Sequence, residues 1–126
     1  MSSQVYYVLA SRIASPWHSL RTDVTRILHS GWPVMHYLYI DGKLESKVLG
    51  RDVEKEESPV INIPAGTITC FHLTDIDGDH ALFKGEKPYV FFSEYFAPGF
   101  DIEDYVQCEE EDLPLECKEL TLPLED

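Results

Sequence analysis

Residues 24–49 read VTRILHSGWPVMHYLYIDGKLESKVL, a stretch in which three short apolar segments are separated by two turn signals. Val24–His29 and Val34–Ile40 lie on either side of the turn Ser-Gly-Trp-Pro, and Asp41–Gly42 leads into Leu44–Leu49. An Asp-Gly pair between two such segments is typical of a tight β-hairpin. No apolar repeat of about 3.6 residues runs through the stretch, so it predicts consecutive antiparallel strands.

The same pattern continues on both sides of this stretch. Turn signals separate further segments rich in Val, Ile, Tyr and Phe, namely Val5–Ala10, Val60–Ile63, Thr67–Leu73, His80–Phe83 and Tyr89–Phe96. With 126 residues, of which 44% are apolar, the chain has material for one ordinary core. About eight strands around one core predict a single all-β domain of the jelly-roll type.

Charge is distributed unevenly along the chain. The net charge is -13, and residues 101–126 contain 11 of the 23 acidic residues but only one basic residue, Lys118. We therefore divide the chain into a barrel domain, residues 1–106, and an acidic tail, residues 107–126. The tail is either disordered, because its acids repel one another, or docked with Leu120–Leu124 as an edge strand. A chain this acidic would repel phosphate groups, which excludes nucleic acid as a partner.

Membrane and disulfide signals are both weak. No run approaches the roughly 20 apolar residues that a membrane helix needs, and Met1–Gln4 lacks the basic start of a signal peptide. We expect a cytoplasmic protein with no membrane partner. Cys70 lies in an apolar run while Cys108 and Cys117 lie among acids, which is neither a disulfide framework nor a metal-binding spacing. Reduced thiols are the expected state.

Four short motifs follow one another in the order found in a known family. They are Ser15, Trp17 and His18; Gly31, Pro33 and Val34; residues 63–67, IPAGT; and residues 98–105, PGFDIEDY. On these motifs the chain resembles the Cupin-5 family, a branch of the epimerase-like (RmlC-like) cupins, over about residues 5–106. The resemblance implies a cupin double-stranded β-helix, a jelly-roll barrel, and a homodimer formed through a sheet face or edge.

The positions at which cupins hold a metal are mostly replaced in this chain. Alignment on Gly31 puts the first cupin histidine at His18 and the cupin glutamate at Val24, and the turn in residues 63–67 puts the second-motif histidine at Thr69. A first-row metal needs at least three converging His or carboxylate ligands. We therefore predict no metal and no cofactor.

A ligand pocket is predicted from the alternation of side chains along strands. If position 24 faces the barrel interior, then Arg26 and Leu28 share that face, and Thr69 shares its face with Phe71. The predicted ligand-binding residues are His18, Arg26, Thr69 and Phe71. They suit a small polar ligand that is sugar-like or anionic. Alternatively, Arg26 reaches the barrel mouth or pairs with a buried acid such as Glu94.

Two other functions stay open at this point. The resemblance implies a metal-independent epimerase or isomerase that uses a histidine base and a tyrosine acid, for which the candidate catalytic residues are His18 with Tyr37, Tyr39 or Tyr95. A protein-interaction module with a recruiting acidic tail is the third possibility. The sequence does not decide whether any reaction is catalysed.

Overall fold

A computed structural model of the chain describes residues 3–10, 13–74, 89–97 and 105–122. These residues form ten β-strands: β1 (Ser3–Leu9), β2 (His18–Leu20), β3 (Asp23–Gly31), β4 (Val34–Ile40), β5 (Lys43–Leu49), β6 (Glu57–Ser58), β7 (Val60–Ile63), β8 (Ile68–Leu73), β9 (Val90–Ala97) and β10 (Tyr105–Gln107). The all-β prediction is confirmed. The predicted strand His80–Phe83 and residues 98–104 of the last motif lie outside the described residues.

The strands make two sheets that face each other. One sheet has the order β1-β9-β3-β7 and the other has the order β10-β2-β8-β4-β5-β6. All pairings are antiparallel except β5 with β6, which is parallel. Because β2 and β10 extend the second sheet at one edge, His18 and Tyr105 lie on neighbouring strands at that edge.

The Asp-Gly hairpin forms as the sequence predicts. Ile40 pairs with Lys43 at the end of β4 and β5, so Asp41 and Gly42 alone make the turn. Their φ angles are 51° and 78°, and a hairpin turn with two positive φ values favours Asp or Asn followed by Gly. The turn therefore fixes the register of β4 against β5.

The core lies between the two sheets and is built by strand alternation. In β3, Val24, Arg26 and Leu28 are buried, while Asp23 and His29 are exposed. The inward residues of β3 share the core with inward residues of the facing sheet: the buried apolar cluster is Val24, Leu28, Trp32, Val34, Leu38, Leu49, Ile61, Ile63, Phe71, Leu73, Val90, Phe92 and Phe96. The inward position of Arg26, predicted from Val24, is therefore observed, with an arginine inside an otherwise apolar layer.

Segment 108–122 packs on the outer side of the six-stranded sheet. It contains a short 3-10 turn at Glu110–Asp112 and one helical turn, α1 (Leu115–Lys118). Cys117 of α1 is 2% exposed and belongs to a second apolar cluster with Trp17 and Cys70. Within the described part of the tail, residues 113–122 form no strand.

Three short strands and one buried acidic residue of the described chain are not predicted from the sequence. The strands β2, β6 and β10 have only two or three residues each, which is too short for an alternation pattern. Glu57 ends a charged run, residues 51–57, yet it is 5% exposed and opens β6. Its Oε1 accepts a hydrogen bond from the Asp52 amide at 3.2 Å, which turns the side chain back onto its own loop.

Among the described helices, none is long and apolar enough to cross a membrane.

Candidate ligand-binding site

A cavity of about 290 Å³ opens between the two sheets, where β1, β3 and β9 face β2, β8 and β10. Its walls are mainly apolar and aromatic, with three strongly polar side chains, His18, Arg26 and Glu94. Pockets for small molecules typically combine an apolar lining with a few placed polar groups. The lining residues are Val5, Tyr7, Ser15, Pro16, His18, Leu20, Arg26, Phe71, Glu94, Phe96 and Tyr105.

His18 is held in one tautomer by its own backbone. Its Nδ1 lies 2.8 Å from the carbonyl oxygen of Pro16. A carbonyl oxygen only accepts, so Nδ1 carries the proton and Nε2 keeps a free lone pair. Burial lowers the pKa of His18 below 6.5; the hydrogen bond to Pro16 opposes this shift, and the charge of Arg26 adds to it. The site therefore presents a neutral imidazole with an accepting nitrogen at neutral pH.

Arg26 forms a buried ion pair with Glu94. Its Nε lies 3.0 Å from Glu94 Oε2, and the two residues are 2% and 8% exposed. They are direct cross-strand partners in β3 and β9, which explains the short distance. The guanidinium carbon also lies 4.6 Å from the ring centre of Phe71. Arg26 Nη1 is buried and has no hydrogen-bond partner among the described residues.

The ring of Phe71 contacts both His18 and His36 in the barrel interior. Its ring meets His18 edge-on with centroids 6.2 Å apart, and it stacks on His36 at 5.6 Å. His36 donates from Nδ1 to the Val34 carbonyl oxygen at 3.2 Å, and its Nε2 has no partner in the described structure. Burial, reinforced by the charge of Arg26, lowers the pKa of His36 well below 6.5. His36 is therefore a second neutral imidazole in the interior.

Thr69 lies in the barrel interior but is not among the residues that line the cavity. It is 2% exposed and pairs with His18 of β2 on one side and Leu38 of β4 on the other. Its hydroxyl is buried without a partner among the described residues. Three of the four predicted ligand-binding residues thus meet at the cavity: His18, Arg26 and Phe71.

The tyrosines chosen from the sequence lie elsewhere. Tyr37 and Tyr39 pack on the outer cluster around Trp17, and burial raises the pKa of Tyr37. Tyr95 follows Glu94 in β9, so it points to the opposite face, where it is 37% exposed. None of the three lines the cavity.

Two other tyrosines, Tyr7 and Tyr105, line the cavity instead. The Tyr105 ring stacks on His18 with centroids 5.2 Å apart, and the Tyr7 ring stacks on Phe92 at 5.1 Å. Sequence reasoning missed both. Alternation in β1 gives Val5 and Tyr7 a common face, but only the sheet topology shows that this face meets the cavity.

The described residues contain no group of three His, Cys, Asp or Glu side chains that could hold a metal ion. At the cupin ligand positions, Val24 has no donor atom and Thr69 has one neutral hydroxyl. His18 alone offers a typical ligand nitrogen there. The donor set therefore does not fit the metal that cupins commonly hold.

Comparison with known families identifies the family to which the chain belongs. The family model Cupin_5, described as "Cupin superfamily (DUF985)", matches residues 1–107. The chain belongs to the Cupin_5 family. With the two facing sheets, this membership makes the fold a cupin jelly roll, as the motifs around His18 and in residues 98–105 predict. No curated protein sequence matches this Cupin_5 chain.

Solved structures share the fold of this Cupin_5 protein at low sequence identity. A Shewanella oneidensis protein is 22% identical with a TM-score of 0.72, and the match covers 87% of this chain and 63% of that one. A dTDP sugar isomerase from Desulfovibrio desulfuricans G20 is 12% identical with a TM-score of 0.65, covering 95% and 73%. RmlC from Streptococcus suis, solved in complex with dTDP-D-xylose, is 11% identical with a TM-score of 0.60, covering 96% and 56%. The chain thus spans less than two thirds of the Shewanella protein.

Proposed function

We propose that this protein binds a small, polar, sugar-like ligand in the cavity between its sheets, without a metal. The observation that carries the proposal is the guanidinium of Arg26, a cavity-lining residue whose buried Nη1 donor has no partner among the described residues. A buried unsatisfied polar group costs roughly 1–3 kcal/mol. A ligand oxygen that accepts a hydrogen bond from Arg26 would remove that cost. The ligand-free protein is therefore suited to bind a hydrogen-bond acceptor.

The lining of the cavity supports a ring-shaped ligand. Tyr7, Phe71 and Tyr105 supply flat aromatic surfaces, while His18 Nε2 and Glu94 supply acceptors. Aromatic faces with a few hydrogen-bonding groups suit a compact ring that carries hydroxyls. The fold neighbour RmlC was solved in complex with dTDP-D-xylose, and the sugar part of that molecule is the class of ligand proposed for this cavity.

A thermal-shift screen of monosaccharides tests the proposal, with two tyrosine variants as a matched pair. Tyr105→Leu removes an aromatic wall of the cavity. Tyr95→Leu is the control, because Tyr95 lies in the other sheet on the face that points away from the cavity. The two tyrosines are nearly equally exposed, 36% for Tyr105 and 37% for Tyr95. Binding to the native state at about 100 times Kd stabilises it by about 2.7 kcal/mol. We expect at least one sugar to raise the Tm of the wild type and Tyr95→Leu, and not of Tyr105→Leu.

Retention of the sugar-induced shift in Tyr105→Leu would place the binding elsewhere on the molecule. A screen in which no sugar raises the Tm of the wild type would contradict the proposal itself.

A metal-independent isomerase is the second candidate, favoured by the fixed tautomer of His18. Its unprotonated Nε2 is the form of imidazole that removes a proton, and the hydroxyls of Tyr7 and Tyr105 belong to the same cavity. Incorporation of solvent deuterium into a bound sugar, followed by NMR and lost in His18→Gln, would distinguish catalysis from binding alone.

A further inference from the structure

The charged groups in the cavity cancel each other. Among the described lining residues, Arg26 carries the one positive charge and Glu94 the one negative charge, and their side chains meet at 3.0 Å. An anion that approaches Arg26 therefore also approaches the carboxylate of Glu94. Attraction and repulsion over similar distances largely offset each other. The anion would lose its hydration without an equivalent gain.

Among Arg26, His18 and Glu94, one side chain supplies donors to a ligand and two supply acceptors. Arg26 donates from its Nη nitrogens, of which Nη1 has no partner among the described residues, while its Nε already donates to Glu94. His18 Nε2 accepts, because its Nδ1 donates to Pro16. The carboxylate of Glu94, which also lines the cavity, accepts only. A complementary ligand thus needs at least one acceptor for Arg26 and donors for both His18 Nε2 and Glu94 within a short distance.

We infer that the cavity selects a neutral head group rich in hydrogen-bond donors, a carboxamide or a pair of hydroxyls, and rejects a carboxylate or phosphate of the same shape. This inference rests on the proposed binding function and decides between the sugar-like and the anionic ligand that the sequence leaves open. A carboxylate offers acceptors alone, so it would satisfy Arg26 Nη1 but face Glu94 and His18 Nε2 with no proton to donate. A carboxamide or a diol satisfies all three groups.

Calorimetric titration with matched probes tests the selectivity. The pairs are D-glucose against D-glucuronate and nicotinamide against nicotinate, with inorganic phosphate as a further anion. The first pair represents hydroxyl donors and the second represents amide donors, so the tighter neutral probe identifies the head group. We expect the wild-type protein to bind a neutral member at least tenfold more tightly than its carboxylate partner.

The variant Glu94→Gln isolates the cause of the selectivity. It keeps an oxygen that accepts from Arg26 Nε, removes the negative charge and adds a donor, so carboxylate affinity should rise at least tenfold. Glu45→Gln changes the net charge equally at an exposed position of β5 and should leave every affinity unchanged.

Three outcomes would overturn the inference in distinguishable ways. Equal or tighter binding of the carboxylates by the wild type would refute the selectivity and leave the proposed binding function standing. An equal affinity gain in Glu45→Gln would trace the effect to net charge and not to the cavity. The absence of saturable binding of every probe to all three proteins would refute the proposed function and this inference with it. The wild-type comparison decides the question even if Glu94→Gln fails to fold.

Discussion

Arg26 contributes both to the stability of the core and to the polar lining of the cavity. Its Nε holds Glu94 in the interior, and its Nη1 is buried without a partner among the described residues. Removing one member of a buried pair leaves the other charge uncompensated, which typically costs 3–5 kcal/mol. We expect Arg26→Met to lower the free energy of unfolding by about this amount, measured by urea denaturation.

The double variant Arg26→Met with Glu94→Leu provides the control for this prediction. Replacing a whole buried ion pair by apolar side chains is often neutral or stabilising, so most of the loss should be recovered. A single variant as stable as the wild type would mean that Glu94 reaches water without Arg26.

The buried imidazoles of His18 and His36 make stability depend on pH in a defined direction. The folded-state pKa values of both lie below 6.5, chiefly because burial disfavours the charged form. The unfolded chain then binds more protons than the folded protein just below pH 6.5, so stability present above that pH is lost as the pH falls. We expect His36→Leu to reduce the loss between about pH 6.5 and pH 5 in denaturation measured across this range. An unchanged slope would show that His36 titrates alike in both states.

At the level of elements, the sequence predicts the long strands well because alternation and turn chemistry are local signals. Val24, Arg26 and Leu28 of β3 face inward, and Asp41–Gly42 makes the predicted turn. The short strands β2 and β10 carry His18 and Tyr105 to the cavity, and each has too few residues for a pattern to show. Their positions depend on pairing with strands distant in sequence, which no local signal encodes.

The tail element offers a test of whether segment 108–122 packs on the barrel. Leu113 and Leu120 contact the cluster of Trp17, Cys70 and Cys117, whereas Leu115 is 66% exposed. Replacing both Leu113 and Leu120 by Ser should lower the free energy of unfolding by on the order of 2–4 kcal/mol, since each leucine is partly buried. Leu115→Ser, the control, should change it by about 0.5 kcal/mol or less. Equally small effects in both proteins would indicate a tail that is detached in solution.

At the scale of the whole molecule, the cavity is assembled from six strands of the two sheets. They contribute Tyr7, His18, Arg26, Phe71, Glu94 and Tyr105, one residue from each strand. Alternation identified the inward face of Arg26 and Phe71, but the meeting of Tyr7 with Tyr105 follows only from the order of strands in each sheet. The sequence therefore predicts that individual residues such as Arg26 and Phe71 face inward, but it does not predict which residues meet in the cavity.

The homodimer expected from the sequence stays a prediction. In the described part of the fold, β1 lies at the edge of its sheet, and Tyr6 and Val8 are 64% and 67% exposed. An uncharged, exposed edge strand is prone to pair with another strand. The same strand lines the cavity through Val5 and Tyr7 on its other face, so self-association there would lie next to the site.

The central claim is that the cavity beside Arg26 is a ligand site. Crystals of the wild-type protein, soaked with the sugar that gives the largest rise in Tm, test it most directly. The account predicts difference density for one ring between Tyr7 and Tyr105, with an oxygen within hydrogen-bond distance of Arg26 Nη1 and a hydroxyl at His18 Nε2. Density for water alone in the cavity, or for the sugar at another surface, would contradict it.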